Sequence, residues 1–170
     1  MKIRRATLQD AKDIAKVHVD SWRTTYQNLL PEEFLDGLSY EQRTTLWESN
    51  IQKQYVYVAE TPGKEIVGFS VGGKETTGEY ASYVGELYAI YILQDYQHQG
   101  LGSLLFAPVI KHLKENDLNS MLVWVLEGNN AAYFYEAKGG RKIDSKEIRI
   151  AGQQYVEYAY GWTHLDDFEN

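Results

Sequence analysis

The hydrophobic pattern of the chain changes from one typical of helices to one typical of strands. In the first third, Ala11, Ile14 and Ala15 recur three and four positions apart, which places them on one face of a helix. Thr7 precedes this helix with a capping pattern, and Ser39 starts another helix that runs to about Ile51. A short strand over residues 2–6 precedes them, and a short helical segment over residues 32–37 lies between them.

Apolar runs separated by turn-forming residues dominate the rest of the chain. Residues 61–64 and 151–154 have the composition of hairpin turns between such runs. Pro108 falls inside a predicted helix and is expected to bend or interrupt it. The predicted strands are 55–60, 66–73, 83–93, 121–126, 141–150 and 155–162, and the helices among them are 100–115 and 129–137. We therefore predict one α+β domain over residues 1–170 with a central sheet.

Composition restricts the classes of function. The formal net charge of −7 disfavours a nucleic-acid partner and weakly favours cationic ligands. The chain has no Cys, and its four His residues lack the spacing of metal ligands, so we expect no metal site. No apolar run approaches the roughly 18 residues of a membrane span. We therefore predict a cytoplasmic protein with no membrane partner.

Residues 97–103, Gln-His-Gln-Gly-Leu-Gly-Ser, form the most informative motif. A glycine-containing turn that opens a helix leaves backbone N–H groups unpaired at the positive end of the helix dipole, which favours an anion. A plain helix start without a ligand is the alternative for a single Gly-x-Gly. The third glycine of a dinucleotide fold and the Gly-Lys-Ser/Thr of a P-loop are both absent, so neither of these sites is predicted.

Gln97-x-x-Gly100-x-Gly102 resembles the acyl-CoA turn of the GNAT N-acetyltransferases. The preceding YAIYILQDYQ and the later EGNNAAYFYEAKGG resemble the strand before that turn and the family's Asn-Ala-Phe-Tyr-Glu-Lys-Gly stretch. The N-terminal IRRATLQD, HVDSWRTTY and LLPEEFLDGLS resemble a bacterial subgroup whose acceptors are mostly unassigned. The resemblance therefore covers essentially the whole chain.

The family resemblance implies a fold and a function together. The implied fold is a mostly antiparallel twisted sheet of six to seven strands, flanked by helices and splayed at the acyl-CoA site. The implied reaction is direct transfer of an acetyl group from acetyl-CoA to a primary amine of a small molecule or peptide. A silent acyl-CoA-binding module with the same fold is the alternative, and a homodimer is compatible with the resemblance.

The resemblance also implies which residues bind acetyl-CoA. Backbone N–H groups of residues 99–103 would hold the pyrophosphate, and main-chain groups of Ile90, Tyr91 and Ile92 would pair with the pantetheine arm. The complete predicted set is Ile90, Tyr91, Ile92, Gln97, His98, Gln99, Gly100, Leu101, Gly102, Ser103, Asn129 and Asn130.

Four members of this set have an open role. Gln97 stands where the family has Gln or Arg, and the side chain of His98 is interpreted as solvated. Asn129 and Asn130 both match a family Asn that contacts the cofactor or caps a helix, so the sequence leaves the register between them open.

Two residues match the catalytic positions of the family. Tyr135 matches a tyrosine that can protonate the departing thiolate, and its alternative role is that of a core tyrosine. Tyr133 carries a competing hydroxyl, but it lies two positions before Tyr135 and therefore on another face of the helix. Glu86 lies fourteen positions before Gly100, where several relatives carry a glutamate base. Its alternative role is an ordinary sheet glutamate paired with a cation.

The acceptor site is predicted on the first long helix. Trp22 and Tyr26, four positions apart, share a helix face and resemble positions that wall the acceptor site. Asp20 is predicted beside them, with an exposed helix carboxylate as the alternative. Aromatic rings over a cationic amine are compatible with polyamine-like or lysine-like acceptors.

Overall fold

The computed structural model, which describes residues 1–166 and 168, contains seven strands and five α-helices. The strands are β1 (Lys2–Arg5), β2 (Val56–Glu60), β3 (Ile66–Lys74), β4 (Gly85–Ile92), β5 (Met121–Leu126), β6 (Arg141–Ile150) and β7 (Gln153–Trp162). The helices are α1 (Ala11–Thr25), α2 (Glu32–Asp36), α3 (Tyr40–Lys53), α4 (Leu101–Glu115) and α5 (Ala131–Ala137). The segments Leu8–Asp10 and Gln94–Tyr96 are short 3₁₀ turns.

All seven strands lie in one sheet with the order β1-β2-β3-β4-β5-β7-β6. Every neighbouring pair is antiparallel except β4 and β5, which are parallel. Helices α1 and α3 pack on one face through residues such as Ile14 and Trp47, whereas α4 and α5 pack on the other through residues such as Phe106 and Tyr135. The predicted α+β class and the mostly antiparallel sheet are therefore confirmed.

A β-bulge in β4 shapes the centre of the sheet. Val71 pairs with Ala89 but Gly72 pairs with Leu87, so Tyr88 is the extra residue. A Cβ on Gly72 would lie 2.7 Å from the Glu86 carbonyl oxygen, and one on Gly73 would lie 2.8 Å from the Tyr88 hydroxyl. Only glycine fits at both positions, because the bulged strand and its tyrosine occupy that space.

Pro108 does not interrupt α4, so of the bend or interruption expected from the sequence the interruption is wrong. The helix continues from Leu101 to Glu115, and its residues Phe106, Val109 and Ile110 are buried on both sides of the proline. Burial of three large apolar side chains is worth about 1.5–3 kcal/mol each, which outweighs the ~3 kcal/mol cost of an interior proline.

The last hairpin is tighter than predicted. Ile150 pairs directly with Gln153, so the turn contains two residues, Ala151 and Gly152, instead of the four over residues 151–154. Both have positive φ, 49° and 78°, as the twisted two-residue hairpin turn requires. Alanine pays a steric cost there, which explains why the sequence did not reveal the turn.

Candidate functional site

A cleft opens where β4 and β5 separate. These parallel strands pair only at Gly85 with Met121 and at Glu86 with Leu122, although β4 continues to Ile92. Beyond those pairs, the facing edges carry main-chain N–H and C=O groups that no strand occupies, which is the arrangement that accepts an added strand. The cleft is lined by Tyr26, Tyr88, Ala89, Ile90, Tyr91, Val123, Trp124, Val125, Asn129, Ala131 and Tyr135.

A run of free amides lies at the start of α4. Within the described chain, no backbone N–H from His98 to Ser103 donates to another main-chain group. His98 and Gly100 both have left-handed φ angles, 57° and 79°, which turn successive amides outward ahead of the helix. The turn is therefore a concave set of donors at the positive end of a helix dipole, suited to a phosphate.

The two glycines of this turn serve different purposes. Gly100 is required by its left-handed φ, and the space in front of its Cα is open. A Cβ on Gly102 would instead lie 3.2 Å from the Phe134 ring, so this glycine lets α4 pack closely on α5. The Gln97 side chain donates to the Ile92 carbonyl oxygen at 3.0 Å and joins the turn to the end of β4.

Tyr135 is buried on α5 and lines the cleft. Its hydroxyl forms no hydrogen bond with any residue that the structure describes, and burial raises its pKa above the ordinary value. The hydroxyl is therefore neutral and free to donate to a ligand. Tyr133, the competing hydroxyl, is 73 % exposed on the opposite side of the helix.

Glu86 lies at the last paired position before the strands separate. One carboxylate oxygen accepts from the Thr76 N–H at 3.2 Å and from the Thr76 hydroxyl at 3.1 Å. Burial raises the pKa of Glu86, and the Thr76 bonds act in the opposite direction. No described Lys or Arg forms an ion pair with it, and it is not among the residues that line the cleft.

The predicted acceptor residues separate into two groups. Trp22 and Tyr26 pack edge to face with ring centroids 4.9 Å apart, and Tyr26 lines the cleft. Asp20 does not line it; its carboxylate binds the Lys16 ammonium at 2.8 Å and the Tyr40 hydroxyl at 2.5 Å. The structure therefore brings Tyr26 to the cleft, places Trp22 behind it and holds Asp20 away, as its alternative interpretation described.

The side chains of the two asparagines before α5 point in different directions. Asn129 points inward: its Oδ1 accepts from the Ala131 N–H at 2.9 Å, and its Nδ2 donates to the Tyr26 hydroxyl at 3.4 Å. Asn130 is exposed at the N-cap position and makes no side-chain cap bond. Asn129 is therefore the one that faces the cleft.

Sequence reasoning missed Tyr88 and Trp124, which line the cleft from opposite strands. The Lys146 ammonium lies 3.9 Å from the centroid of the Trp124 ring and 3.2 Å from a Glu157 carboxylate oxygen. The pair Gly72-Gly73 inside a strand pattern was an available signal for the bulge at Tyr88. Nothing in the local sequence around Trp124 indicated which face it takes.

The described residues contain neither a group of side chains suited to a metal ion nor a helix suited to span a membrane. Over residues 1–166 and 168, no group of three or more His, Cys, Asp or Glu side chains is placed to hold a metal ion. No helix in the same residues has the length and apolar character needed to cross a membrane.

Comparisons with known proteins identify the family of this chain. The model of the acetyltransferase (GNAT) family matches residues 16–139. The uncharacterized N-acetyltransferase YuaI of Bacillus subtilis (strain 168) is 40% identical over 163 residues, which cover 96% of this chain and 93% of the relative. Spermidine N(1)-acetyltransferase of Thermoplasma acidophilum is 20% identical, with 86% of this chain and 91% of the relative covered.

A solved structure shows the same fold. YncA from Salmonella typhimurium, described as an acetyltransferase with its cofactor acetyl-CoA, superposes with a TM-score of 0.72 at 18% identity. The match covers 100% of this chain and 96% of that one.

Proposed function

Because this chain belongs to the GNAT family of acetyltransferases and is an acetyl-CoA-dependent N-acetyltransferase, we propose that it acetylates a primary amine by direct transfer within its β4–β5 cleft. The single observation that supports this most strongly is the separation of the two parallel strands beside the free amides of residues 98–103. The free amides would hold the phosphates, and the cleft between the strands, which Tyr135 lines, would hold the rest of the co-substrate.

The residues present fit acetyl-CoA. The amides of about residues 99–103 would hold the pyrophosphate, because that turn leaves its donors unused. The free edge of β4 at Ile90, Tyr91 and Ile92 would pair with the pantetheine arm as a strand would. The thioester would then lie near Tyr135.

Tyr135 would stabilise the departing thiolate by donating a hydrogen bond. A thiol pKa of ~8.5 lies below a phenol pKa of ~10, so complete proton transfer is uphill by about 2 kcal/mol. Burial raises the pKa of Tyr135 further. The proposed role of Tyr135 is therefore a hydrogen bond that strengthens as negative charge develops on sulfur. The thiolate is protonated afterwards.

Glu86 would accept the proton of the incoming amine, directly or through water. An alkylamine with a pKa of ~10.4 must lose a proton at a cost of roughly 4.6 kcal/mol at pH 7 before it can attack. The raised pKa of Glu86 brings the carboxylate closer to a useful base. In the reaction, the ammonium ion would give one proton to Glu86, the N–C bond would form, the C–S bond would break, and the second proton lost by nitrogen would pass to the CoA thiolate.

The proposed acceptor is a primary alkylamine. Lys146 supports this, because its ammonium group rests on the Trp124 ring and beside Glu157 at the wall of the cleft. A ring face and a carboxylate form a favourable environment for an alkylammonium ion. A relative that acetylates spermidine is consistent with this class, and Trp22 and Tyr26 would extend the aromatic wall.

A substrate screen tests the proposal. Thiol release from acetyl-CoA would be measured with polyamines, amino acids, aminoglycosides and peptide N-termini as acceptors. Turnover of at least one amine is expected, with kcat lowered by about 10²–10⁴ in Glu86→Gln and Tyr135→Phe. Tyr133→Phe, on the exposed face of the same helix, is the matched control and should retain kcat.

Two outcomes would contradict parts of this proposal. Unchanged kcat in both variants would remove the assigned roles of Glu86 and Tyr135. Acetyl-CoA binding without turnover of any amine would favour a silent module, which no present finding favours. Three expectations stay predictions: the cytoplasmic location, the homodimer and the single domain over residues 1–170. Residues 167, 169 and 170 of that domain lie outside the described ones.

A further inference from the structure

Two tyrosine hydroxyls meet at the wall of the cleft between groups that can only donate. The oxygens of Tyr26 and Tyr91 lie 3.3 Å apart, and Asn129 Nδ2 donates to Tyr26 at 3.4 Å. The orientation of the Asn129 amide is fixed, because its Oδ1 already accepts from Ala131. One end of the hydroxyl pair therefore faces an N–H donor.

The other end of the pair packs against Trp22, whose indole can only donate. The Trp22 and Tyr91 rings have centroids 6.2 Å apart and planes tilted by 51°, and the indole carries one N–H. This N–H is buried and has no hydrogen bond of ordinary geometry within the described residues. An indole N–H cannot accept a hydrogen bond.

Counting protons in this chain leaves one without an acceptor. Tyr26 and Tyr91 carry one hydroxyl proton each, and only one of the two can bridge the pair. Asn129 supplies a further proton to Tyr26, the buried Trp22 N–H offers no lone pair, and no described acceptor outside the pair bonds either hydroxyl. Burial raises the pKa of both tyrosines, so both protons are retained at neutral pH.

The ring beneath Tyr91 is also neutral. His18 stacks on Tyr91 with centroids 5.8 Å apart, and burial lowers the pKa of His18 to about 4. Its Nδ1 accepts from the Trp47 indole N–H at 3.0 Å, so it cannot take a tyrosine proton. The surplus proton is consequently available only to a group in the cleft.

We propose that the Tyr26–Tyr91 pair donates this proton in a hydrogen bond to the carbonyl oxygen of the acetyl thioester. The inference rests on the proposed binding of acetyl-CoA in this cleft, which Tyr26, Tyr91 and Tyr135 all line. An attacking amine needs a free lone pair, so a donor aimed at its nitrogen would slow the reaction. The carbonyl oxygen instead gains negative charge as the N–C bond forms, and a preorganised donor stabilises that charge.

The Asn129 donor strengthens this role. A hydroxyl whose oxygen accepts a hydrogen bond becomes a better donor, because neighbouring hydrogen bonds polarise one another. Asn129 polarises the pair through its hydrogen bond to Tyr26. No proton leaves the tyrosines: the oxygen gains charge as nitrogen attacks and loses it as the C–S bond breaks.

The test compares two ligands that differ at this oxygen. Acetyl-CoA and S-ethyl-CoA share the CoA portion, but the thioether lacks the carbonyl oxygen. Calorimetry on the native protein should show acetyl-CoA bound about 3- to 10-fold more tightly, as expected for one hydrogen bond. The double variant Tyr26→Phe/Tyr91→Phe should lose this preference and keep its affinity for S-ethyl-CoA, with kcat reduced about 10²-fold.

Three results would overturn the proposal or identify a different failure. An unchanged preference in the double variant, or equal loss of affinity for both ligands, would show that the pair bonds only water or acts structurally. If the double variant does not fold, one of the two single variants must lose the preference, and normal preference in both overturns the proposal. Absence of binding of either ligand to the native protein would instead refute the proposed function. Tyr133→Phe is the matched control.

Discussion

Burial acts in the same direction on Glu86 and Tyr135. It raises the pKa of each, which brings the proposed base closer to a useful range and keeps the phenol neutral. Thr76 holds one Glu86 oxygen through two hydrogen bonds and leaves the other oxygen available. These environments support the proposed roles of proton acceptor for Glu86 and hydrogen-bond donor for Tyr135.

A pH profile tests the role of Glu86. As a base it must be ionised, so kcat/KM should fall as the pH decreases through its pKa, which burial places above the ordinary ~4.3. Glu86→Gln should lower kcat/KM and abolish this acid limb. Glu79→Gln, an exposed change in the neighbouring loop, should leave the limb in place. Persistence of the limb in Glu86→Gln would assign it to another group.

The sequence could predict which of two neighbouring residues faces the site in some cases and not in others. Helical periodicity correctly placed Tyr133 away from the face of Tyr135, because that geometry is local. The choice between Asn129 and Asn130 depended on a contact with Tyr26, 103 positions away along the chain. The position of Asp20 likewise depended on Tyr40 in another helix. Such partners are fixed only by tertiary packing.

At the scale of elements, the first turn of α4 combines free amides with a helix dipole. His98 adopts a left-handed conformation that is unusual for a non-glycine residue, and Gly100 adopts it as well. The cost of the strained His98 backbone is a reason to expect function at this turn. Gly-x-Gly predicted the turn correctly, but the sequence could not show that Gly102 makes room for Phe134.

A negative charge placed at this turn should change the affinity for CoA without lowering thermal stability. Ser103→Asp puts a carboxylate at the N-terminus of α4, where the dipole favours a negative charge, so thermal stability should stay the same or rise. The same carboxylate would repel the pyrophosphate and should weaken CoA binding about 10-fold or more at low salt. Calorimetry measures the affinity, with Ser103→Ala as the control. Unchanged affinity in Ser103→Asp would place the pyrophosphate elsewhere.

The element boundaries that sequence missed have local physical causes. The bulge at Tyr88 depends on Gly72 and Gly73 in the neighbouring strand, so it is a property of a pair of strands. The two-residue turn at Ala151 was hidden because alanine rarely takes a positive φ. Hydrophobic periodicity reports buried faces well and reports such backbone irregularities poorly.

At the scale of the molecule, the sheet consists of two parts joined by little main-chain bonding. Strands β1–β4 and β5–β7 meet at two register positions of the parallel pair. Packing between α4 and α5, including the edge-to-face rings of Phe106 and Phe134 at 5.7 Å, connects the two parts on one face. A ligand bound between the strands should therefore add substantially to the stability of the whole.

Thermal unfolding measures this contribution. Acetyl-CoA at 100 times its Kd should stabilise the protein by about 2.7 kcal/mol, which corresponds to a Tm increase of roughly 5–10 °C for a protein of this size. The increase should be smaller in Ser103→Asp at the same ligand concentration. The absence of any shift in the native protein would contradict binding in the cleft.

Most of the whole-molecule architecture could be predicted, because it depends on patterns spread over many residues. The number of strands and their succession along the chain followed from hydrophobic runs, and the splay followed from the family resemblance, whereas the order of strands within the sheet was not predicted. The extent of the splay could not be predicted, since it is set by which main-chain groups of β4 and β5 remain unpaired. No side-chain pattern encodes that quantity directly.

The open edges of β4 and β5 also bear on how such a chain can diverge. Every amino acid except proline offers the same main-chain donor and acceptor. The proposed binding of acetyl-CoA through these atoms would tolerate replacement of most of the side chains around it. Mutations of Tyr26 and Trp124, which line the cleft, would then change the preferred amine while the donor of the acetyl group stays the same.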